Sequence, residues 1–245
     1  MENRGFKYGD GFFETIRIHH GQIPLWEEHV KRISEAFQVL CLDVIPHWSW
    51  ENLKEEVLAS EGGVDELIVR LNFYRSGGGT YQPNFNEFTY NFQFRPVSSS
   101  SPFLFSKDEW ASRLEGTPLP EVKMSVYPVA KQDAYPWSSF KTLSSIFYVQ
   151  AALWAQNQEQ VDEAIVKGEG GEILETGTAN ILIYHKGQWK APEWGRGQVK
   201  GVYLSALSKV LDIHFDVISY QMLKESDLVL CCNAAKGVRR ILLTK

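Results

Sequence analysis

AYPWSSFKTLSSIFYVQAALWAQ, residues 134–156, holds a single charged side chain, Lys141, among aromatics, aliphatics and four serines. Lysine is among the residues least often buried without a partner, and taking its ammonium out of water lowers its pKa. Two readings stand. One is a lysine at a helix entry that runs its alkyl stem along apolar surface and keeps its ammonium in solvent. The other is a lysine held partly desolvated so that its amine forms an imine with a carbonyl cofactor. Composition does not choose between them.

The rest of the chain narrows the setting. Its 245 residues give room for one large or two small domains, each with its own core. A 44% hydrophobic and 13% aromatic content is that of a globular protein. A net charge of -5 and a pI near 5.7 argue against a nucleic-acid partner. The apolar runs stop short of the ~18 residues needed to span a bilayer, and no leader opens the chain, so a soluble, cytoplasmic protein with no membrane partner is expected. Cys41, Cys231 and Cys232 are too few for a disulfide framework and read as reduced core residues. The six histidines are scattered, and no metal site is expected.

Working outward from Lys141, the order of elements gives two α+β lobes. GFFETIRIHHGQIPL reads as strand, turn at His20-Gly21, strand. WEEHVKRISEAFQVL places Trp26, Val30, Ile33, Phe37 and Leu40 on one helical face, and a second helix follows in SWENLKEEVLAS. VDELIVRLNFYR and NEFTYNFQFRPV read as strands joined by SGGGTYQPN. A Ser- and Pro-rich stretch, 98–118, reads as linker or outer strand, so the small N-terminal lobe is taken as residues 1–118 and the larger, β-rich C-terminal lobe as 119–245. The second lobe opens with the strand VKMSVYP, followed by the Lys141 segment and a helix. Three strands lie in DEAIVKGEGGEILETGTANILIYHKGQW, a helix is entered through Gly201, and DLVLCCNAAKGVRRILL reads as strand, loop, strand.

Imine chemistry with pyridoxal phosphate needs a lysine, a carboxylate facing the pyridine nitrogen, and a phosphate pocket. EILETGTANILIY offers Glu175 at the end of a short strand, ahead of small residues. Gly201 precedes a helix whose first N–H groups suit an anion, CCNAAKG adds a small-residue loop, and Arg32 adds a positive charge. Each signal has a bland alternative: a strand-end carboxylate, turn chemistry, a solvated helix face. Their order along the chain is the specific feature.

That order resembles the fold-type IV pyridoxal-phosphate enzymes, the class IV aminotransferases, a family that includes branched-chain and D-amino-acid aminotransferases and 4-amino-4-deoxychorismate lyase. YGDGFFETIRIHHGQIPLWEEHVKRI is similar to the family's opening, RLNFYRSGGGTY to its Gly-rich substrate loop, and FKTLSS to its lysine segment. DEAIVKGEGGEILETGTANILI is similar to its glutamate hairpin and CNAAKGVRRI to its last loop. The resemblance implies a two-lobed α+β fold with pyridoxal 5'-phosphate between the lobes, and a homodimer. It makes Lys141 the Schiff-base lysine and general base, with its pKa lowered by apolar surroundings, and Glu175 the partner of the pyridine nitrogen. Arg32, Gly201, Val202, Tyr203, Asn233 and Ala234 would hold the cofactor, its phosphate above all. Gly78, Tyr81 and Ala235 would line a small amino substrate.

Three departures qualify this. The family usually begins one strand earlier, so the first sheet is expected to be a strand short or rearranged at its edge. Tyr203-Leu204 replaces a usual Thr or Met and Arg. The Gly-rich loop lacks a cation, the nearest arginine being Arg75, so Arg239 is the candidate contact for a substrate carboxylate. The implied activity is 4-amino-4-deoxychorismate lyase, with an aminotransferase for a branched-chain, D- or other small amino acid as the alternative and a non-catalytic relative as the rival.

Overall fold

The computed structural model describes residues 3–59, 66–97, 108–110, 119–131 and 134–244. Two compact units emerge, residues 1–98 with 140–144, and residues 99–139 with 145–245. The short Lys141 segment therefore belongs with the N-terminal residues. Most of the stretch expected to link the lobes lies outside the described residues. Trp110, which is described, is buried edge-on against Trp189, with ring centroids 5.6 Å apart.

In the first unit, helix α1 (Arg4–Tyr8) is capped by Asn3, whose Oδ1 accepts from Phe6 N–H at 2.9 Å. Gly9 ends it at φ 65, and a Cβ there would lie 2.1 Å from Ser144 Oγ, so both conformation and space demand glycine. Strand β1 (Gly11–His19), helices α2 (Trp26–Val39) and α3 (Trp50–Ala59), and strands β2 (Glu66–Arg75) and β3 (Phe88–Pro96) follow. The strands form one antiparallel sheet in the order β1-β2-β3. The strand expected after His20-Gly21 is reduced to the single bridge His19–Gln22. His20 and Gly21 turn the chain at φ 49 and 67, and Pro24 has no N–H with which to extend a ladder.

Alternation along β1 sends Phe12, Glu14 and Ile16 to the covered face, where α2 contributes Ile33, Ala36 and Phe37. Phe12 and Phe73 stack at 5.1 Å, and Phe37 stands edge-on to both at 5.7 and 5.4 Å. Burial of each ring is worth ~1.5–3 kcal/mol. The outer edge of β1 is occupied by the Lys141 segment. Phe13 N–H donates to Lys141 C=O at 2.8 Å, Leu143 N–H donates to Gly11 C=O at 3.0 Å, and Phe140 packs into the same core. The sheet thus has three strands, with residues 140–143 along its edge.

The second unit contains β4 (Glu121–Val126), a 3-10 turn (Pro136–Ser139), α4 (Ile146–Gln156), β5 (Glu163–Lys167), β6 (Ile173–Thr176), β7 (Asn180–His185), β8 (Gln188–Pro192), α5 (Val202–Leu207), β9 (Ile213–Asp216), α6 (Tyr220–Glu225), β10 (Leu228–Asn233) and β11 (Gly237–Leu243). Its eight strands run β6-β5-β4-β11-β10-β7-β8-β9, with β4–β11, β4–β5 and β8–β9 parallel. The glutamate hairpin region carries the three expected strands and β8 beyond them, while β9 and α6 are additions to the sequence reading. Met124, Ile165, Ile181, Ile183 and Cys231 form the core on the sheet. Cys231 and Cys232 are buried as expected, and burial pushes the Cys231 thiol up to about 12. Cys41 is exposed instead, because the chain leaves α2 there with φ 51 and turns its side chain off the core. No helix among the described residues is long and apolar enough to cross a membrane.

Candidate active site

Lys141 is half-buried, its backbone fixed on the edge of β1 and its Nζ 5.1 Å from the centre of the Phe13 ring. Behind it lies a buried ionic group. Glu14 receives Arg32 as a fork, Nε to Oε1 at 2.8 Å and Nη2 to Oε2 at 2.5 Å, and His29 Nδ1 meets Oε2 at 2.7 Å. Burial alone would raise the Glu14 carboxyl, but Arg32 and His29 overcome it and hold the pKa down at about 2. Burial lowers the His29 pKa, and the charges of Arg32 and Lys141 add to that effect over the opposing pull of Glu14. The buried Nε2 of His29 has no hydrogen-bond partner among the described residues.

Arg70, on β2, lies over the same Phe13 ring, with its guanidinium carbon 3.5 Å from the centroid. It donates to Asn72 Oδ1 at 2.9 Å, and no carboxylate is ion-paired with it among the described residues. Burial, and then the charge of Arg95, lower its pKa. A half-buried guanidinium with no counter-ion among the described residues, sharing an aromatic ring with Lys141, suits an anion. The sequence reading passed over Arg70 because a charge in an alternating strand reads as solvated.

Glu175 sits on β6, in the second unit, with its carboxylate 3% exposed. Three donors hold it: Tyr148 O–H on Oε1 at 2.5 Å, Lys131 Nζ on Oε1 at 3.1 Å, and Val199 N–H on Oε2 at 3.1 Å. Lys131 also reaches the Tyr148 hydroxyl and the Gly197 carbonyl. Burial, reinforced by the Glu175 charge, raises the Tyr148 pKa well above its ordinary value, so the phenol stays neutral and donates. The roles of Tyr148 and Lys131 at Glu175 went unseen in the sequence. A visible signal was the lone phenol in the apolar helix IFYVQAALWAQ.

The segment that binds Glu175 through Val199 continues to Gly201 and into α5, which starts without a capping side chain. A Cβ on Gly201 would fall 1.6 Å from Asn180 Oδ1, so only glycine lets this turn close over Asn180, whose Nδ2 donates to Val199 C=O at 2.8 Å. Val202 and Tyr203 are buried at the helix start. Asn233 folds its own loop: its Oδ1 accepts from Ala235 N–H at 3.0 Å and Lys236 N–H at 2.6 Å, and its Nδ2 donates to Thr178 C=O at 3.1 Å. This leaves Ala234 and Ala235 buried on that loop.

Two arginines considered for a substrate carboxylate are already engaged. Arg239 Nη2 donates to Glu163 Oε2 at 3.0 Å. Arg75 donates to Asp10, to the Leu40 and Cys41 carbonyls and to Asn86. Gly78 and Tyr81 lie on the loop after β2, with the Tyr81 ring 89% exposed. One cluster of metal-ligating types escaped the sequence reading, His19 and His20 with Glu66, whose ligand atoms lie within 4.8 Å of one another. Arg17 Nη2 already neutralises that carboxylate at 2.8 Å, which makes it a poor cation ligand.

Residues 11–243 match the family described as Amino-transferase class IV, and the chain belongs to that family. It is a pyridoxal-phosphate-dependent enzyme of fold type IV, a lyase or an aminotransferase. It is 24% identical to an aminodeoxychorismate lyase of Vibrio harveyi over 97% of this chain and 84% of that protein. It is 22% identical to a D-alanine aminotransferase of Listeria monocytogenes over 76% of this chain and 60% of that one. The crystal structure of a branched-chain aminotransferase from Thermoproteus uzoniensis superposes with a TM-score of 0.79 at 18% identity, covering 98% of this chain and 80% of that one, which is a likeness of fold.

The residues present fit the cofactor. A carboxylate offers about four acceptor sites. Three are used at Glu175, leaving one at Oε2 for a protonated ring nitrogen. The uncapped start of α5 suits a phosphate.

Proposed function

We propose that this chain is a 4-amino-4-deoxychorismate lyase, cleaving its substrate to 4-aminobenzoate and pyruvate. Bound pyridoxal phosphate supplies a carbonyl carbon for the amino group and a conjugated ring that accepts electrons. Lys141 provides the amine that anchors the cofactor and then the base that takes the proton from the carbon bearing the substrate's amino group. Glu175 keeps a proton on the ring nitrogen. It is suited to this because three donors orient its carboxyl group, among them Tyr148, a neutral phenol that donates to it. Arg32 and the segments Gly201–Tyr203 and Asn233–Ala234 hold the phosphate, Arg32 with its fork already oriented by Glu14. Gly78, Tyr81 and Ala235 line the substrate, and Arg70 takes its carboxylate.

In the lyase reaction the proton removed by Lys141 is balanced by one taken up at the methylene carbon of the enolpyruvyl group as the C–O bond joining that group to the ring breaks. Pyruvate leaves, the ring becomes aromatic, and no second substrate is consumed. What supports this reading is the Gly-rich loop, where Gly77 and Gly79 fold against Phe85 and the Gln82 carbonyl and Gly78 adds no side chain to the wall. The Vibrio harveyi lyase, matched along nearly the whole of this chain, supports it. The aminotransferase reading is favoured by the D-alanine aminotransferase match. We also propose a homodimer, supported by Ile146, Val149 and Leu153, exposed by 68%, 48% and 46% on one face of α4.

Pure protein loaded with cofactor is assayed with aminodeoxychorismate and no keto acid, and separately with D- and L-amino acids plus pyruvate or 2-oxoglutarate. Release of 4-aminobenzoate in the first assay is expected. Silence there with steady transamination in the second overturns the lyase. In either assay Arg70→Met is expected to raise KM more than it lowers kcat.

A further inference from the structure

The loop after β2 carries three consecutive glycines, two of them at φ 85 and 94, and glycine-rich chain loses the most conformational entropy on being fixed. Its side chains are largely exposed, Tyr81 by 89% and Phe85 by 61%, with Tyr81 against Tyr8 at 5.6 Å between ring centroids. Within the loop Asn84 N–H donates to Gly78 C=O at 3.3 Å, and the crest is held from outside by Arg4, itself 3% exposed. Nη1 donates to the carbonyls of Gly78, Gly79 and Thr80 at 3.2, 3.3 and 2.7 Å, and Nη2 to that of Tyr81 at 3.4 Å. Nε is paired with Asp10 Oδ2 at 2.7 Å. Asp10 in turn accepts Arg75 Nε at 3.1 Å, and Arg75, the last residue of β2, donates to Asn86 Oδ1 at 2.8 Å on the far side of the loop. One carboxylate thus joins two guanidiniums, one on the crest of the loop and one across its base.

We propose that Arg4, through Asp10 and Arg75, is the positioning residue of this loop, holding residues 78–81 as a preformed wall that sets which amino substrates are accepted. This rests on the reading above that the loop lines the substrate. Four carbonyls and a carboxylate surround one guanidinium, three of the carbonyls sharing the two N–H of Nη1, and its planar fork spreads its donors along the loop, whereas a lysine ammonium has three donors at one point. Charge alone is therefore not enough, and Arg4→Lys is expected to behave like Arg4→Ala.

The test uses the cofactor-loaded full chain. Chymotrypsin cleavage after Tyr81 and Phe85 is expected to be at least ~10-fold faster in both variants, since cleavage at exposed sites follows the population of the opened loop. With whichever of aminodeoxychorismate, D- or L-alanine or glutamate the wild type accepts, KM is expected to rise ~10-fold while kcat stays within about threefold. Hydroxylamine, a carbonyl reagent with no carboxylate or side chain, is expected to react with the bound cofactor at the wild-type rate. Wild-type cleavage rates in Arg4→Lys and Arg4→Ala overturn the proposal, as does an equal loss in substrate and hydroxylamine reactions. If the wild type itself gives no cofactor reaction with hydroxylamine, the reading of the site fails, and the cleavage rates still decide the role of Arg4.

Discussion

Replacing Glu14 by Gln is expected to expose how strongly the first unit depends on one carboxylate. Holding that carboxyl at about 2 rather than at its ordinary 4.5 corresponds to roughly 3 kcal/mol, at ~1.4 kcal/mol per tenfold change in proton affinity. Loss of a buried counter-ion costs about 3–5 kcal/mol by an independent route, because Arg32 remains charged and buried without it. The two agree, and for a chain of this length they translate into a melting-temperature drop of about 6–12 °C. The pH dependence carries the diagnostic. Glu14 is depressed in the folded state, so its stabilisation is complete above its unfolded pKa of 4.5 and fades as pH falls toward about 2. The gap between wild type and Glu14→Gln, measured by urea unfolding of the cofactor-free proteins, is therefore constant from pH 8 to 7. His29, lowered from 6.5, removes stability from both proteins as pH drops below that value, and more from Glu14→Gln, because Glu14 raises the His29 pKa. Below pH 5 the loss of the Glu14 stabilisation opposes that widening. A gap under ~1 kcal/mol at pH 8 refutes the reasoning.

Lys141→Ala is expected to fold with wild-type cooperativity but to release the cofactor on dialysis and to take up no borohydride-fixed label. A label at Lys131 instead contradicts the assignment, since that ammonium is already paired with Glu175. Glu175→Gln is expected to retain cofactor absorbance and lose turnover by more than about a hundredfold. Near-normal turnover removes Glu175 from its role. Tyr148→Phe leaves Lys131 and Val199 on Glu175, so unfolding measurements are expected to show a loss of ~1 kcal/mol and activity to fall less than in Glu175→Gln. Val149→Glu, on the exposed stripe of α4, is expected to shift sedimentation toward monomer; an unaltered dimer means that another face carries it.

Long, strongly periodic segments declared themselves in the sequence. Helix α2 follows from Trp26, Ile33 and Phe37, and β10 from the run LVLCC. The short elements did not, because α1, β9 and α6 are each held mainly by a cap or by neighbours far along the chain. Arg32 was read from the sequence as a positive charge, but its pairing with Glu14 was not, since Glu14 on β1 and His29 and Arg32 on α2 meet only once the helix packs on the covered face of the strand. Lys131 on Glu175 and Glu163 on Arg239 were invisible, since each joins strands or loops whose adjacency only the sheet order supplies.

The place of β11 in the larger sheet has a consequence for how the protein is made. It lies between β4 and β10, pairing residues 240–243 with residues 121–124, so one seven-residue strand joins β6-β5-β4 to β10-β7-β8-β9. Until that strand docks, the sheet exists as two halves whose open ladders at β4 and β10 are templates for any other extended chain. Closure over so long a separation in sequence is slow. Translational stalling or proteolytic loss within 237–243 thus converts the enzyme into a pair of sticky half-sheets, and the yield of active protein depends on how quickly this seam closes.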